Sequence, residues 1–148
     1  MRLPPVGRLF LREETLKAGF LDLVAAARRL EDRLAARAGE EDLGAAAALV
    51  LIAIWAEPGI DRKGLERLLA RTRPTLAPLI AELAARGLVE KRALAADRRR
   101  RGFHVTDRGA ALAESCFAAV AHLIRQGFRE EGEEAVAGFL ALSRRLAG

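Results

Sequence analysis

Between Arg12 and Arg37 the apolar positions Leu16, Phe20, Leu23, Val24, Ala27, Leu30 and Leu34 recur in steps of three and four, the period of one helical face. A helix of that length carries more apolar surface than one small neighbouring lobe can cover. The Ala38-Gly39 pair ends the pattern. A second helix is predicted over about Glu41 to Ala56. Its segment AAAALVLIAIWA is apolar on every face, so it belongs in the interior. Trp55, near its end, reads either as core or as the wall of a pocket.

Glu57-Pro58-Gly59 reads as a turn, and Asp61 as an N-cap whose carboxylate accepts from the free amides of a first helical turn. The helix it opens, Arg62 to about Ala70, turns Leu65, Leu68 and Leu69 to one side. Thr72 is the next N-cap position, with Pro74 in the first turn, where a missing N–H costs little. This third short helix runs to about Arg86 with Leu76, Leu79, Ile80 and Leu83 inward, and Gly87 suits a left-handed C-cap. Two short helices joined by so tight a turn form a helix-turn-helix candidate.

The pattern then changes period. Leu88 to Arg92 and Gly102 to Thr106 alternate as strands, Phe103 and Val105 taking the inner side. ALAADRRRR between them is predicted as a long hairpin tip. Thr106 with Asp107 opens a helix striped by Leu112, Cys116, Val120 and Leu123, and after about Gly127 a last helix carries Val136, Phe139, Leu140 and Leu142. The predicted fold class is mainly α with a small β-hairpin wing, a winged-helix order. A helical region over 8–40 and 110–148 flanks a winged helix-turn-helix domain over 41–109.

Charge changes this picture because of where it lies. The 148 residues carry a net +5. Residues 86–108 hold eight Lys/Arg against three Asp/Glu, while the flanking parts stand at 13 against 12 and 4 against 5, so this one segment carries the whole excess. Concentrated positive charge is what a polyanion partner requires. Arg98, Arg99, Arg100 and Arg101 cannot satisfy one another; Asp97 can neutralise only one, most usefully by bracing the loop. Four unpaired arginines beside a helix-turn-helix are better explained by a polyanion than by solvent. In a recognition helix the first-turn side chains reach base edges, here Thr72, Arg73 and Thr75, with Ala77 and Pro78 beyond. Arg73 can contact guanine with two hydrogen bonds, and the hydroxyls can donate to phosphate. The arginines of the hairpin would reach phosphates or the narrow minor groove.

Other chemistries find little support. His104 and His122 are the only histidines and have no clustered partners, so no metal site is expected. Ser115-Cys116 lacks a nearby His orienter, and no glycine loop is shaped for phosphate, so no enzyme and no cofactor are expected. Cys116 cannot form an internal disulfide and reads as a small buried residue. The longest charge-free run, Leu43 to Ala56, is 14 residues, below the roughly 20 needed to cross a bilayer. MRLPPVGRLFLREE has no uninterrupted apolar stretch of signal-peptide type, so a cytoplasmic protein is expected.

The ordered set of motifs from Gly59 to Leu112 resembles the DNA-binding core of MarR-type regulators. It comprises a helix-turn-helix ending in Leu83 to Val89, an arginine at Arg92, an Asp-x-Arg wing (Asp97, Arg99) and a Thr-x-x-Gly helix entry (Thr106, Gly109). The likeness in pattern covers about residues 45–112. It implies a homodimer whose first and last helices interlock, with two lobes on double-stranded DNA at half-sites of a pseudo-palindromic operator, about one helical turn apart. It also implies a ligand-responsive repressor whose effector is aromatic or phenolic and binds between the two parts, near Trp55 and the apolar faces of the first two helices. Two positions depart from the family pattern: Arg71, where an apolar residue is usual, and Pro78, where a polar or basic residue usually faces the groove. Base readout then rests on Arg73, Thr75 and the wing. The alternative reading is a winged-helix dimer that works as a protein-interaction module with weak or no specific DNA binding.

Overall fold

The structure, a computed structural model, describes residues 9–94 and 96–148, with Leu9, Leu94 and Arg98 described in the backbone only. Its organising element is α2 (Ala45–Ala56), in which Ala47, Ala48, Val50, Leu51, Ala53 and Ile54 are buried. Against it pack α1 (Glu13–Gly39), α3 (Arg62–Leu69), α4 (Arg73–Ala85), the second strand of a hairpin formed by β1 (Val89–Leu94) and β2 (Asp97–Val105), and α5 (Asp107–Ala147). The core joins Leu34 and Ala38 of α1 to Leu65, Leu76, Ile80 and Leu83 of the two short helices. Leu88, Val89 and Phe103 of the hairpin and Ala113, Cys116 and Val120 of α5 complete it. No described helix is long and apolar enough to cross a membrane.

Each boundary has a local cause. The second helix starts at Ala45 rather than near Glu41, because the chain turns through Asp42 with φ 54° and then buries Leu43. Gly87, at φ 68°, ends α4 as expected, its N–H reaching Ala84 O while Leu88 N–H reaches Leu83 O. In α3 Leu65 is fully buried, but Leu68 is 46% exposed, so the expected inward trio is in fact centred on Leu65 with Leu69 at its edge. The hairpin is longer than the alternation suggested. β1 and β2 pair antiparallel from Val89↔Val105 to Ala93↔Arg101, and the register shifts before Leu94↔Asp97. Most of the expected arginine loop is therefore strand, because arginine stems tolerate an extended backbone whose side faces water.

α5 corrects the predicted break near Gly127. The backbone stays helical through Gly127 and departs at Gly132, with φ 82° and ψ 171°. Glu130, Glu131, Glu133 and Glu134 surround this position, and like charges at three- and four-residue spacing oppose a continuous helix. The two arms fold back on each other, with the rings of Phe128 and Phe139 edge to face at 6.3 Å.

Two glycines set close approaches. A Cβ on Gly109 would lie 1.9 Å from Leu88 O, and one on Gly102 would lie 2.2 Å from Gly59 O. Both obstacles are backbone, which cannot swing aside. Gly109→Ala and Gly102→Ala are each expected to destabilise the fold by about 1–3 kcal/mol, read as a lowered urea midpoint; wild-type midpoints would show that the helix entry and wing base are loosely packed.

Candidate nucleic-acid interface

Two exposed features flank the helix-turn-helix. The first is the entry to α4. Thr72 stands at the N-cap in extended conformation, but its side chain makes no capping bond; its hydroxyl lies 3.1 Å from that of Thr75. Thr72, Arg73 and Thr75 are all exposed, while Leu76 one residue on is fully buried. The first turn thus presents two hydroxyls and one guanidinium outward, on a helix fixed from behind. α4 continues through Pro78, also exposed, to Ala85.

The second feature is the wing. Its base is tied to the turn before α3: Gly59 N–H donates to Phe103 O at 2.8 Å, and Phe103 N–H donates to Ile60 O at 2.8 Å. Phe103 is 3% exposed, and Lys91 Nζ sits 5.4 Å from its ring centroid. Farther out, Asp97 Oδ1 accepts from Arg99 N–H at 2.9 Å, a bond to the wing's own backbone. Arg99, Arg100 and Arg101 are exposed; the side chain of Arg98 lies outside the described residues. No hydrogen bond or ion pair among the described residues joins Arg99, Arg100 or Arg101 to Thr72, Arg73 or Thr75.

The expectation of four unpaired arginines needs correction. Arg100 Nη2 donates to Asp61 Oδ2 at 2.6 Å, while Asp61 Oδ1 accepts from Gly64 N–H at 2.8 Å. Sequence reasoning assigned Asp61 only the cap. The pairing spans 39 positions and follows from the Gly59–Phe103 join, which brings β2 beside the start of α3. Arg99 and Arg101 form no ion pair among the described residues. The bond from Gly64 N–H, then Arg100, hold the Asp61 carboxyl below its ordinary value.

Two further arginines, unremarked in the sequence, tie helices to one another. Arg37 donates to Ser115 Oγ from Nε at 3.1 Å and from Nη2 at 2.5 Å, and pairs with Glu40 at 3.2 Å. Arg86 donates to the carbonyls of Asp42 at 3.0 Å and Glu41 at 2.6 Å, tying the end of α4 to the corner between α1 and α2. Neither has a periodicity that would reveal it. Trp55 is half-buried against the core, its ring 6.1 Å from that of Phe117 on α5. Burial raises the Cys116 thiol above its ordinary value.

Helix-turn-helix, hairpin wing and flanking long helices define a winged-helix protein. A sequence profile of the MarR family matches residues 41–100. The HTH-type transcriptional regulator PetP of Rhodobacter capsulatus is 33% identical over 134 residues, spanning 88% of this chain and 79% of PetP. The chain belongs to the MarR family and is a transcriptional regulator, not an enzyme. Solved structures share the fold at 20% identity. CouR from Rhodococcus jostii RHA1, bound to p-coumaroyl-CoA, aligns at TM-score 0.74 over 88% of this chain and 91% of its own. A MarR family regulator from Listeria monocytogenes, complexed with 26mer DNA, aligns at TM-score 0.72 over 86% and 88%.

Because its folded value is depressed, Asp61 contributes stability that is fully present above its ordinary value of 3.8 and is lost as pH falls through the lower folded value. Asp61→Asn is therefore expected to lose less stability on acidification below 3.8 than wild type does. Chemical denaturation at stepped pH checks this, and parallel curves for the two proteins would contradict it.

Proposed function

We propose that the chain is a homodimeric, ligand-responsive repressor that acts in the cytoplasm and reads a pseudo-palindromic operator in double-stranded DNA. Arg73, with Thr72 and Thr75, meets base edges and phosphates in the major groove, and the wing arginines run along the backbone or minor groove. The observation that carries this reading is the pair of exposed arginines, Arg99 and Arg101, standing on a braced strand without internal counter-charges among the described residues. Binding phosphate is the use that such an exposed, uncompensated array serves best.

The dimer is supported by surface that one chain leaves bare. Leu16, Phe20 and Leu21 of α1 are 54%, 66% and 63% exposed, and Leu142 and Leu146 at the end of α5 are 51% and 64% exposed. Apolar area on this scale, concentrated in the two terminal helical regions, calls for a partner surface. A second copy supplies it: residues 8–40 and 110–148 form the dimerisation region, residue 8 lying outside the described part, and residues 41–109 the DNA-binding domain. The effector is a small aromatic or phenolic molecule held between the two regions, with Trp55 at its edge. No metal or other cofactor enters this reading. Pro78 and Ala77 favour the second reading, a protein-interaction module, because they offer the groove little hydrogen bonding.

Titrating fluorescent duplex DNA against salt tests the reading. The affinity is expected to fall with a log–log slope of several phosphates per dimer. Replacing Arg99 and Arg101 with alanine weakens binding to every sequence and costs discrimination only between minor-groove widths, whereas Arg73→Ala costs about 1–3 kcal/mol of discrimination at one base pair. Binding that is absent, or indifferent to salt, would favour the interaction module. The dimer has its own check: Phe20→Glu is expected to shift the mass in sedimentation equilibrium from two chains towards one, and an unchanged dimer mass would place the interface elsewhere.

A further inference from the structure

The arginines of the wing do not share one environment, and the difference separates their roles. Beyond the bonds between Phe103 and Gly59-Ile60, β1 is the one strand paired with β2 among the described residues. An isolated two-stranded hairpin is marginal in water, so its direction is poorly held unless something grips it farther out. The Arg100–Asp61 pair is that grip. It falls three residues beyond Phe103, on the stretch where the register with β1 has begun to slip. Asp61 is fixed in turn, because its other oxygen caps α3 and its side chain is only 25% exposed. One carboxylate thus joins the wing to the first helix of the helix-turn-helix. Engaging Arg100 with a phosphate would break this pair and leave an anionic Asp61 facing an anionic backbone.

We propose that Arg100 is a positioning residue, which clamps the wing to the N-terminus of α3 through Asp61 and leaves Arg99 and Arg101 to grip phosphates. The proposal rests on the DNA-binding reading above for its consequence, but the clamp itself can be tested without DNA. Arg100 then contributes to affinity through the direction of the wing, and its removal changes how well the neighbouring arginines are aimed and not how many counterions are displaced.

The experiment uses Asp61→Asn, which keeps a good capping residue, Arg100→Gln, Arg100→Lys and the double variant of the full chain. In duplex binding, Asp61→Asn and Arg100→Gln are each expected to weaken affinity about threefold, with the double variant no weaker than either. The salt slope stays at the wild-type value in these variants, whereas Arg99→Gln lowers it by about one per chain. Arg100→Lys, which keeps the charge, recovers part of the affinity. Amide exchange gives the DNA-free measure: both single variants speed exchange of the Arg99 to Arg101 amides about threefold, while the Phe103 amide stays protected. Tighter binding with a steeper slope in Asp61→Asn would overturn the proposal, since Asp61 would then be withholding a phosphate ligand. A reduced slope in Arg100→Gln, or unaltered exchange in both variants, would overturn it too. If wild type bound no DNA, the regulator reading would fall while the exchange measurement still decided the clamp.

Discussion

Everything in this molecule is arranged around a helix that cannot face water. α2 carries no charged or hydrogen-bonding side chain apart from the indole of Trp55, and Leu51 and Ile54 are fully buried. Each such side chain contributes about 1.5–3 kcal/mol when removed from water. A helix apolar on all faces must be surrounded, so α1, α3, α4, β2 and α5 are drawn onto it from different directions. α1 and α5, which carry the uncovered apolar surface, and α4, which carries the exposed Thr72-Arg73-Thr75 turn, all pack on the same buried helix.

Polar contacts then fix the angles that packing leaves free. Arg86 reads the carbonyls at the α1–α2 corner, Arg37 crosses from α1 to Ser115 on α5, and Arg100 reaches the cap of α3. All three use guanidinium, whose flat fork of donors can satisfy several acceptors in one plane. These pairs are partly exposed, and each contributes little to stability by itself. Their value lies in orientation, because a wing or helix displaced by an ångström misses a phosphate. On the proposed function arginine would serve both as ligand and as fastener, and net charge alone cannot tell the two apart.

What could be read from the sequence was local. The caps at Asp61 and Thr106, the left-handed Gly87 and the inner row Leu76, Ile80 and Leu83 follow from residue types within one or two turns, and the structure has them. The helix-turn-helix and hairpin follow from these. The failures all involve contacts across the chain or competition between local signals. Arg100 looked free because its partner lies 39 positions away. Arginine-rich strand looked like loop because strand propensity depends on pairing, which the one-dimensional pattern does not hold. The break expected near Gly127 falls instead at Gly132, which the sequence reading passed over, among acidic residues. Thr72 occupies a capping position without capping, since its hydroxyl turns to Thr75. The candidate site was legible as a set of exposed cations, but not as a division between those that hold and those that are held.

The recognition helix shows where that division leads. Pro78 has no N–H for the carbonyl of Pro74, so the exposed side of α4 gives up one internal bond near its start and leaves that oxygen to water. Ala77 and Pro78 bring methyl and methylene groups where hydrogen-bonding side chains would read bases, and such groups distinguish little beyond a thymine methyl. On the proposed function, direct readout would thereby be concentrated in a single turn, around Arg73. A regulator of this build needs another source of selectivity, and the wing can supply it: guanidinium groups held at a fixed angle favour DNA whose minor groove is narrow where they arrive. Selectivity of that kind depends on the aim of the arginines more than on their number. A fastener within the wing is then as much a determinant of sequence preference as any residue that touches a base.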